Sequence, residues 1–151
     1  MSENPNVNTN RYASDWNAYS ATWEDHYGSR YRNLGDEWCD DGTAQRAREQ
    51  QLFAQIAGPR LTPQTRVLEI GPGGGKWTVR LAPVAGHVTV FDVADGMLDR
   101  TRRRCEEEGL ENVSFQLGNG VNLAPLADGS HDVVFSYDVF VHIVGAPETV
   151  Q

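Results

Sequence analysis

The stretch Val67-Leu68-Glu69-Ile70-Gly71-Pro72-Gly73-Gly74-Gly75-Lys76-Trp77 constrains the fold more than any other part of the chain. Val67, Leu68 and Ile70 make the short continuous apolar run of a buried parallel strand. The run then breaks into glycines, which let the backbone turn sharply and approach a ligand with no Cβ in the way. Lys76-Trp77-Thr78-Val79-Arg80-Leu81 reads as the helix that follows. Strand, glycine turn and helix N-terminus in succession build a nucleotide-type binding site, so the segment predicts an adenosine-containing cofactor. A glycine turn that binds nothing is the plainer alternative.

Spacing decides between cofactor classes. The dinucleotide pattern G-x-G-x-x-G needs glycine at 76 or at 78, and the chain has Lys76 and Thr78 there. A nicotinamide-dependent oxidoreductase is therefore the weaker enzyme reading. The P-loop pattern G-x-x-x-x-G-K-[ST] finds Gly75-Lys76 but fails at Ile70 and at Trp77. What stands is E-x-G-x-G-x-G, carried by Glu69, Gly71, Gly73 and Gly75.

Two further blocks follow at βα spacing. His87-Val88-Thr89-Val90-Phe91 is a β-rich run ending at Asp92, about 20 residues past the turn, where a doubly wound fold places the carboxylate that accepts ribose hydroxyls. Two neighbouring hydroxyls can donate to the two oxygens of one carboxylate; a turn or N-cap aspartate is the structural alternative. Val113-Ser114-Phe115-Gln116-Leu117 reads as the third strand and runs into Gly118-Asn119-Gly120. Then come Leu123-Ala124-Pro125-Leu126-Ala127-Asp128-Gly129-Ser130-His131-Asp132 and a fourth apolar strand through Ser136.

In that order the blocks resemble the class I S-adenosylmethionine-dependent methyltransferases, over residues from about 45 to 143. Phe91-Asp92-Val93-Ala94-Asp95-Gly96-Met97-Leu98 is similar to the family's acidic-loop motif, with Ala94 where serine is frequent. The resemblance implies that Gly71, Gly73 and Gly75 admit the methionine and ribose portion, that Glu69 orders the loop or meets the amino group, and that Asp92 holds the ribose. Val93, Met97 and Gly120 complete the cofactor contacts. Asn119 stands where the family often has an aspartate that accepts the adenine amino group. Its side-chain carbonyl can accept the same bond, and Gly118-Asn119-Gly120 reads equally well as a simple turn.

Composition narrows the partners. The formal net charge is −8, with 13 basic against 21 acidic residues, and no basic stripe offers a nucleic-acid groove. Ser136-Tyr137-Asp138-Val139 also lacks the prolines of the N/D-P-P-Y pattern carried by enzymes that methylate base amino groups. Arg100, Arg102, Arg103 and Arg104 precede Glu106, Glu107 and Glu108, a spacing that predicts a solvated, self-paired helix face. Cys39 and Cys105 form no metal or redox motif, and no metal site is expected. Cys105 shares a helical stripe with Leu98 and Thr101 and should pack in the core. With no signal-like or membrane-spanning run, a soluble cytoplasmic protein is expected.

The chain divides into an N-terminal tail and aromatic-rich helical cap, 1–42, and an S-adenosylmethionine-binding core, 43–151. The polar Met1–Asn10 tail is expected to be disordered. Trp16, Tyr19, Trp23 and Tyr27 recur at helical spacing and line one face. That face either packs the helix onto the domain as a lid, or walls the cofactor pocket and meets an acceptor, its rings suiting a sulfonium or an amine. A second helix from about Ala44 to Ala57 should stop at Gly58-Pro59, with Thr43 as N-cap and with Leu52, Phe53 and Ile56 beside the first strand. It is expected to be structural.

The resemblance implies an α/β fold with a doubly wound, mostly parallel sheet in the order 3-2-1-4, with helices on both faces and a C-terminal truncation relative to the family. The chain is expected to be a fragment of a longer enzyme. Its fourth strand would be an edge open to pairing with another copy of the chain. The implied reaction is in-line methyl transfer to a small-molecule acceptor, with a non-catalytic S-adenosylmethionine-binding module as the alternative. Weak candidates for a catalytic base are Tyr137, His142 and His26; no residue identifies itself as that base.

Overall fold

The chain is described by a computed structural model covering residues 9–39 and 44–143. Helix α1 (Thr9–Tyr27) is followed by a 3₁₀ turn and by α2 (Ala44–Leu52). Strand β1 (Arg66–Ile70), the short α3 (Thr78–Leu81), β2 (His87–Asp92), α4 (Asp95–Glu107), β3 (Val113–Leu117) and β4 (Val133–Ser136) complete the chain order. The four strands are parallel and lie in the order β3-β2-β1-β4, as the motif series predicts. Residues 1–8 of the tail and Thr43 fall outside the described residues, while Thr9 and Asn10, expected in the disordered tail, open α1.

One face of the sheet carries Val67, Val88, Val90, Val113, Phe115, Val133 and Phe135. It packs on Leu52, Phe53 and Ala57 behind α2, on Leu81 and Ala82 at the end of α3, and on Leu98 of α4. In register, Val67 sits between Val88 and Val133, so one layer of β-branched side chains spans three strands. The other face presents Leu68, Thr89, Ser114 and Val134, and Val134 is 62% exposed. A helical layer is expected there, but the described residues put the β3–β4 connection across it instead. His131 of that connection bonds Thr89 at 2.9 Å.

Helix α2 departs from the expected single helix ending at Gly58. After Leu52 the backbone widens into a π turn over Phe53–Ala57, and Gly58 N–H closes onto Phe53 O. The wider turn shifts the helical register. Leu52 and Phe53 still pack on the core and Ala57 turns inward, but Ile56 rotates out to 56% exposure, contrary to its expected place beside β1. Helix α4 buries Leu98, Thr101 and Cys105 along one stripe, as expected.

The arginines of α4 do not pair with its own C-terminal glutamates. Arg100 reaches α1, donating to Ser20 O and Ser20 Oγ and pairing with Glu24. Arg104 pairs with Asp36 at 3.3 Å, and Arg102 with Asp99. Arg100 and Arg104 thus dock the N-terminal segment, while the exposed Arg102–Asp99 pair is the part of the face that is solvated and self-paired. Asn17 Oδ1 accepts the Gly96 N–H and Ser20 Oγ donates to Gly96 O, so α1 is stitched to the first turn of α4 by both backbone groups of one residue.

Candidate active site

The carboxyl ends of β1, β2 and β4 open into a cavity of about 880 Å³ that α1 roofs. Open α/β sheets bind their ligands at this end, and the volume suits a nucleoside-sized molecule. The floor is the glycine loop. Gly71 has φ +69° and its position admits no side chain, because a Cβ would lie 2.3 Å from Val139 Cγ2. Gly73 has φ +58° and lies at the cavity with nothing within 4 Å of an ideal Cβ. A ligand can therefore come within van der Waals distance of the loop backbone.

Of the residues singled out from sequence, Gly71, Gly73, Asp92, Val93, Met97, Gly120, Tyr137 and His142 line this cavity. Asp92 is buried and its Oδ1 accepts the Ala94 N–H at 2.9 Å. Burial raises its pKa to about 6 against the pull of the Ala94 and Val93 amides, so it is ionised at neutral pH.

Glu69, Gly75, Asn119 and His26 are not among the lining residues. Glu69 is 2% exposed and accepts a 2.6 Å bond from Thr78 Oγ1, tying the end of β1 to the start of α3. Burial above all, with the nearby Asp92 charge and despite the Thr78 bond, pushes its pKa up to about 7. Gly75 turns toward α4, where its Cβ would stand 3.0 Å from Thr101 Cγ2. Asn119 spends its side-chain carbonyl on the Val121 and Asn122 amides, at 2.9 and 3.1 Å. This is the turn geometry weighed as its plainer role. His26 is exposed on α1 and stacks only on its neighbour Tyr27.

The aromatic face of α1 both packs onto the domain and walls the cavity. Trp23 packs into a core with Leu34, Ala94 and Met97, while Tyr12, Trp16 and Tyr19 line the cavity. Trp16 meets His142 edge-on at 5.2 Å, joining roof to floor. Tyr19 donates to Glu37 Oε1 at 2.5 Å, and burial with that bond raises its pKa far above the usual phenol range. Tyr137 stacks on Trp77 at 5.0 Å, and its hydroxyl accepts from Gln45 Nε2 at 3.4 Å.

A profile of the methyltransferase domain family matches residues 67–151, more than half of the chain. The chain belongs to this methyltransferase family. Among solved structures, the YcgJ protein from Bacillus subtilis is 26% identical with a TM-score of 0.59, over 67% of this chain and 43% of that one. Phosphoethanolamine N-methyltransferase 1 of Haemonchus contortus, in complex with phosphoethanolamine and S-adenosylhomocysteine, is 26% identical with a TM-score of 0.58. That match covers 85% of this chain and 25% of the other. A dimethyladenosine transferase from Plasmodium falciparum is 27% identical with a TM-score of 0.50, over 61% and 32%. The chain spans less than half the length of each of these proteins.

Sequence reasoning did not find Glu49 in this methyltransferase domain. It lies in the polar helix α2 yet is 0% exposed, and it holds Lys76 Nζ at 2.7 Å and Arg80 Nη2 at 3.2 Å. Burial opposes its charge, but the bonds from Lys76 and Gln45 and the charge of Arg80 keep its carboxyl below the usual range. Lys76 also lines the cavity, so a helix expected to be structural anchors the glycine loop. The available signal is positional: Glu49 shares a helical stripe with Leu52 and Phe53, where an apolar residue would be normal. Asp138, just past β4, stands with Tyr137 at the carboxyl end of that strand, where open α/β sheets place their ligands. It lines the cavity with φ +57°, the one positive φ among the described non-glycine residues.

Proposed function

We propose that the chain is the cofactor-binding portion of an S-adenosylmethionine-dependent methyltransferase acting on a small-molecule acceptor. The observation that carries this is the meeting of the glycine loop, Asp92 and the aromatic face of α1 around one cavity of about 880 Å³. When bound, the cofactor would supply a methyl carbon made electrophilic by its sulfonium. Gly71 and Gly73 would lie against its methionine and ribose portion, and Asp92 would accept the ribose hydroxyls. Val93, Met97 and Gly120 would flank the adenine. Glu69 acts one step back, holding α3 against β1 through Thr78. Asn119 shapes the turn that presents Gly120.

The chain's own contribution to transfer is alignment and exclusion of water. Tyr12, Trp16 and Tyr19 roof the cavity with rings whose faces favour a cation, which suits an amine acceptor as well as the sulfonium. His142, held against Trp16, is the cavity-lining residue best placed to take a proton; Tyr137 lines the same cavity. A small acceptor is favoured over a nucleic acid because Arg100 and Arg104 of α4 are turned to the N-terminal segment rather than to a groove.

The test is calorimetric titration of S-adenosylhomocysteine into the purified chain, beside NADH and an Asp92→Ala variant. Binding of S-adenosylhomocysteine alone, weakened by the substitution, is the expected result. Equal binding of NADH, or no effect of Asp92→Ala in a folded sample, would overturn the reading.

A further inference from the structure

Lys76, which lines the cavity, also lines a second recess of about 320 Å³. Its charged lining is Arg46, Lys76, Arg80 and Arg104 against Glu49 and Asp36. In a chain of net charge −8, four of thirteen basic residues converge on one small recess.

The carboxylates are already committed. Glu49 takes Lys76 and Arg80, and Asp36 takes Arg104 at 3.3 Å. Among the described lining residues two positive charges are left over. Arg46 is exposed and makes no ion pair among the described residues. Arg80 and Arg104 line the recess on guanidinium groups that are already anchored: Arg80 over the Trp77 ring, Arg104 to Gly74 O. Anchored guanidinium groups lose little freedom on binding and match the oxygens of phosphate with paired donors. A phosphate group carries about −1.5 to −2 charges at neutral pH, which balances the excess.

We infer that this recess is a phosphate-binding site, taking inorganic phosphate or the phosphate of a small monoester, separate from the cofactor cavity and independent of methyl transfer. Arg46, Arg80 and Arg104 line it, and Gln50 adds an amide to the lining.

The experiment is titration of the full chain with inorganic phosphate and, in a second arm, glycerol phosphate, by calorimetry at constant ionic strength made up with chloride. Arg46→Ala is compared with Arg48→Ala, an exposed arginine on the same helix that does not line the recess. The expected result is saturable binding at one site, weakened at least fivefold by Arg46→Ala and less than twofold by Arg48→Ala. Retention of glycerol phosphate with the same dependence on Arg46 assigns the site to a monoester; its exclusion assigns it to the free ion. Absence of saturation, or equal weakening by both variants, overturns the proposal, because general screening would then account for the effect. None of these readouts depends on S-adenosylhomocysteine, so failure here leaves the cofactor reading standing.

Discussion

Gly73 and Gly74 are neighbours in the loop, yet a methyl added at each should disturb different properties. At Gly73 an ideal Cβ meets no heavy atom within 4 Å, and φ is +58°. The left-handed conformation costs a residue with a side chain roughly 1–2 kcal/mol. In a domain of this size each 1 kcal/mol lowers Tm by about 2–4 °C. Gly73→Ala should therefore fold, melt about 2–8 °C lower, and place its methyl where the cofactor must lie. At Gly74 the added Cβ would stand 1.9 Å from Leu34 O and 2.9 Å from Leu34 Cβ. A backbone carbonyl cannot rotate aside, so the loop and the Leu34 segment must part, at an overpacking cost of about 1–3 kcal/mol or more. The assay is a thermal melt beside calorimetric titration of S-adenosylhomocysteine. Gly73→Ala is expected to lose at least tenfold in affinity, about 1.4 kcal/mol, with the smaller change in Tm. Gly74→Ala is expected to show the larger change in Tm. A folded Gly73→Ala protein that binds as tightly as the parent would refute the placement of the cofactor against this loop.

Glu49→Ala should destabilise the domain by about 3–5 kcal/mol, because Lys76 and Arg80 lose the buried charge that holds them; chemical denaturation measures it, and a loss below 1 kcal/mol would show that water reaches the pair. The depressed Glu49 carboxyl stabilises the fold above its unfolded value and that contribution is lost as pH falls through the lower folded value. Glu69 behaves oppositely: its pKa of about 7 lies above the unfolded 4.5, so its contribution is full below 4.5 and lost as pH rises through 7. Glu69→Gln should therefore flatten the stability profile between those values in melts recorded against pH. S-adenosylhomocysteine affinity should fall as pH drops through about 6, where Asp92 gains a proton and loses acceptor capacity; an affinity flat from pH 5 to 8 would remove Asp92 from the contact. Arg100→Ala should release α1, at about 1.5–3 kcal/mol for its charged hydrogen bonds, seen as faster amide exchange in residues 16–24 than in β1.

The sheet and its order were legible because each strand ends in a distinctive residue or turn: Glu69 before the glycines, Asp92 before α4, Gly118 after β3. Periodicity likewise found Leu98, Thr101 and Cys105. What stayed hidden depends on contacts distant in sequence. Nothing in Arg100-Thr101-Arg102-Arg103-Arg104 says that Arg100 will meet Glu24 rather than Arg104's neighbours. Ile56 was misplaced because one inserted π turn rotates every residue after it, and its local composition is that of an ordinary helix. Asn119 shows the third kind of limit. A carbonyl oxygen that can accept a ligand's amino group can accept a backbone amide equally well, and only the fold around it chooses.

The contrast between the two sides of α1 has a kinetic consequence. Its attachments to α4 are polar, running through Ser20, Asn17, Glu24 and Arg100, and the Arg100–Glu24 pair is open to solvent on the Glu24 side. Its inner side holds Trp16, Tyr12 and Tyr19 over the cavity. A ligand beneath those rings adds apolar contact to a helix already held by the Trp23 cluster and by these polar bonds. Departure of the ligand and lifting of the helix then become one event. Raising the salt concentration should shorten the residence time of S-adenosylhomocysteine through Arg100 and Glu24, two residues outside the cavity lining, and stopped-flow dissociation of parent and Arg100→Ala proteins would register it.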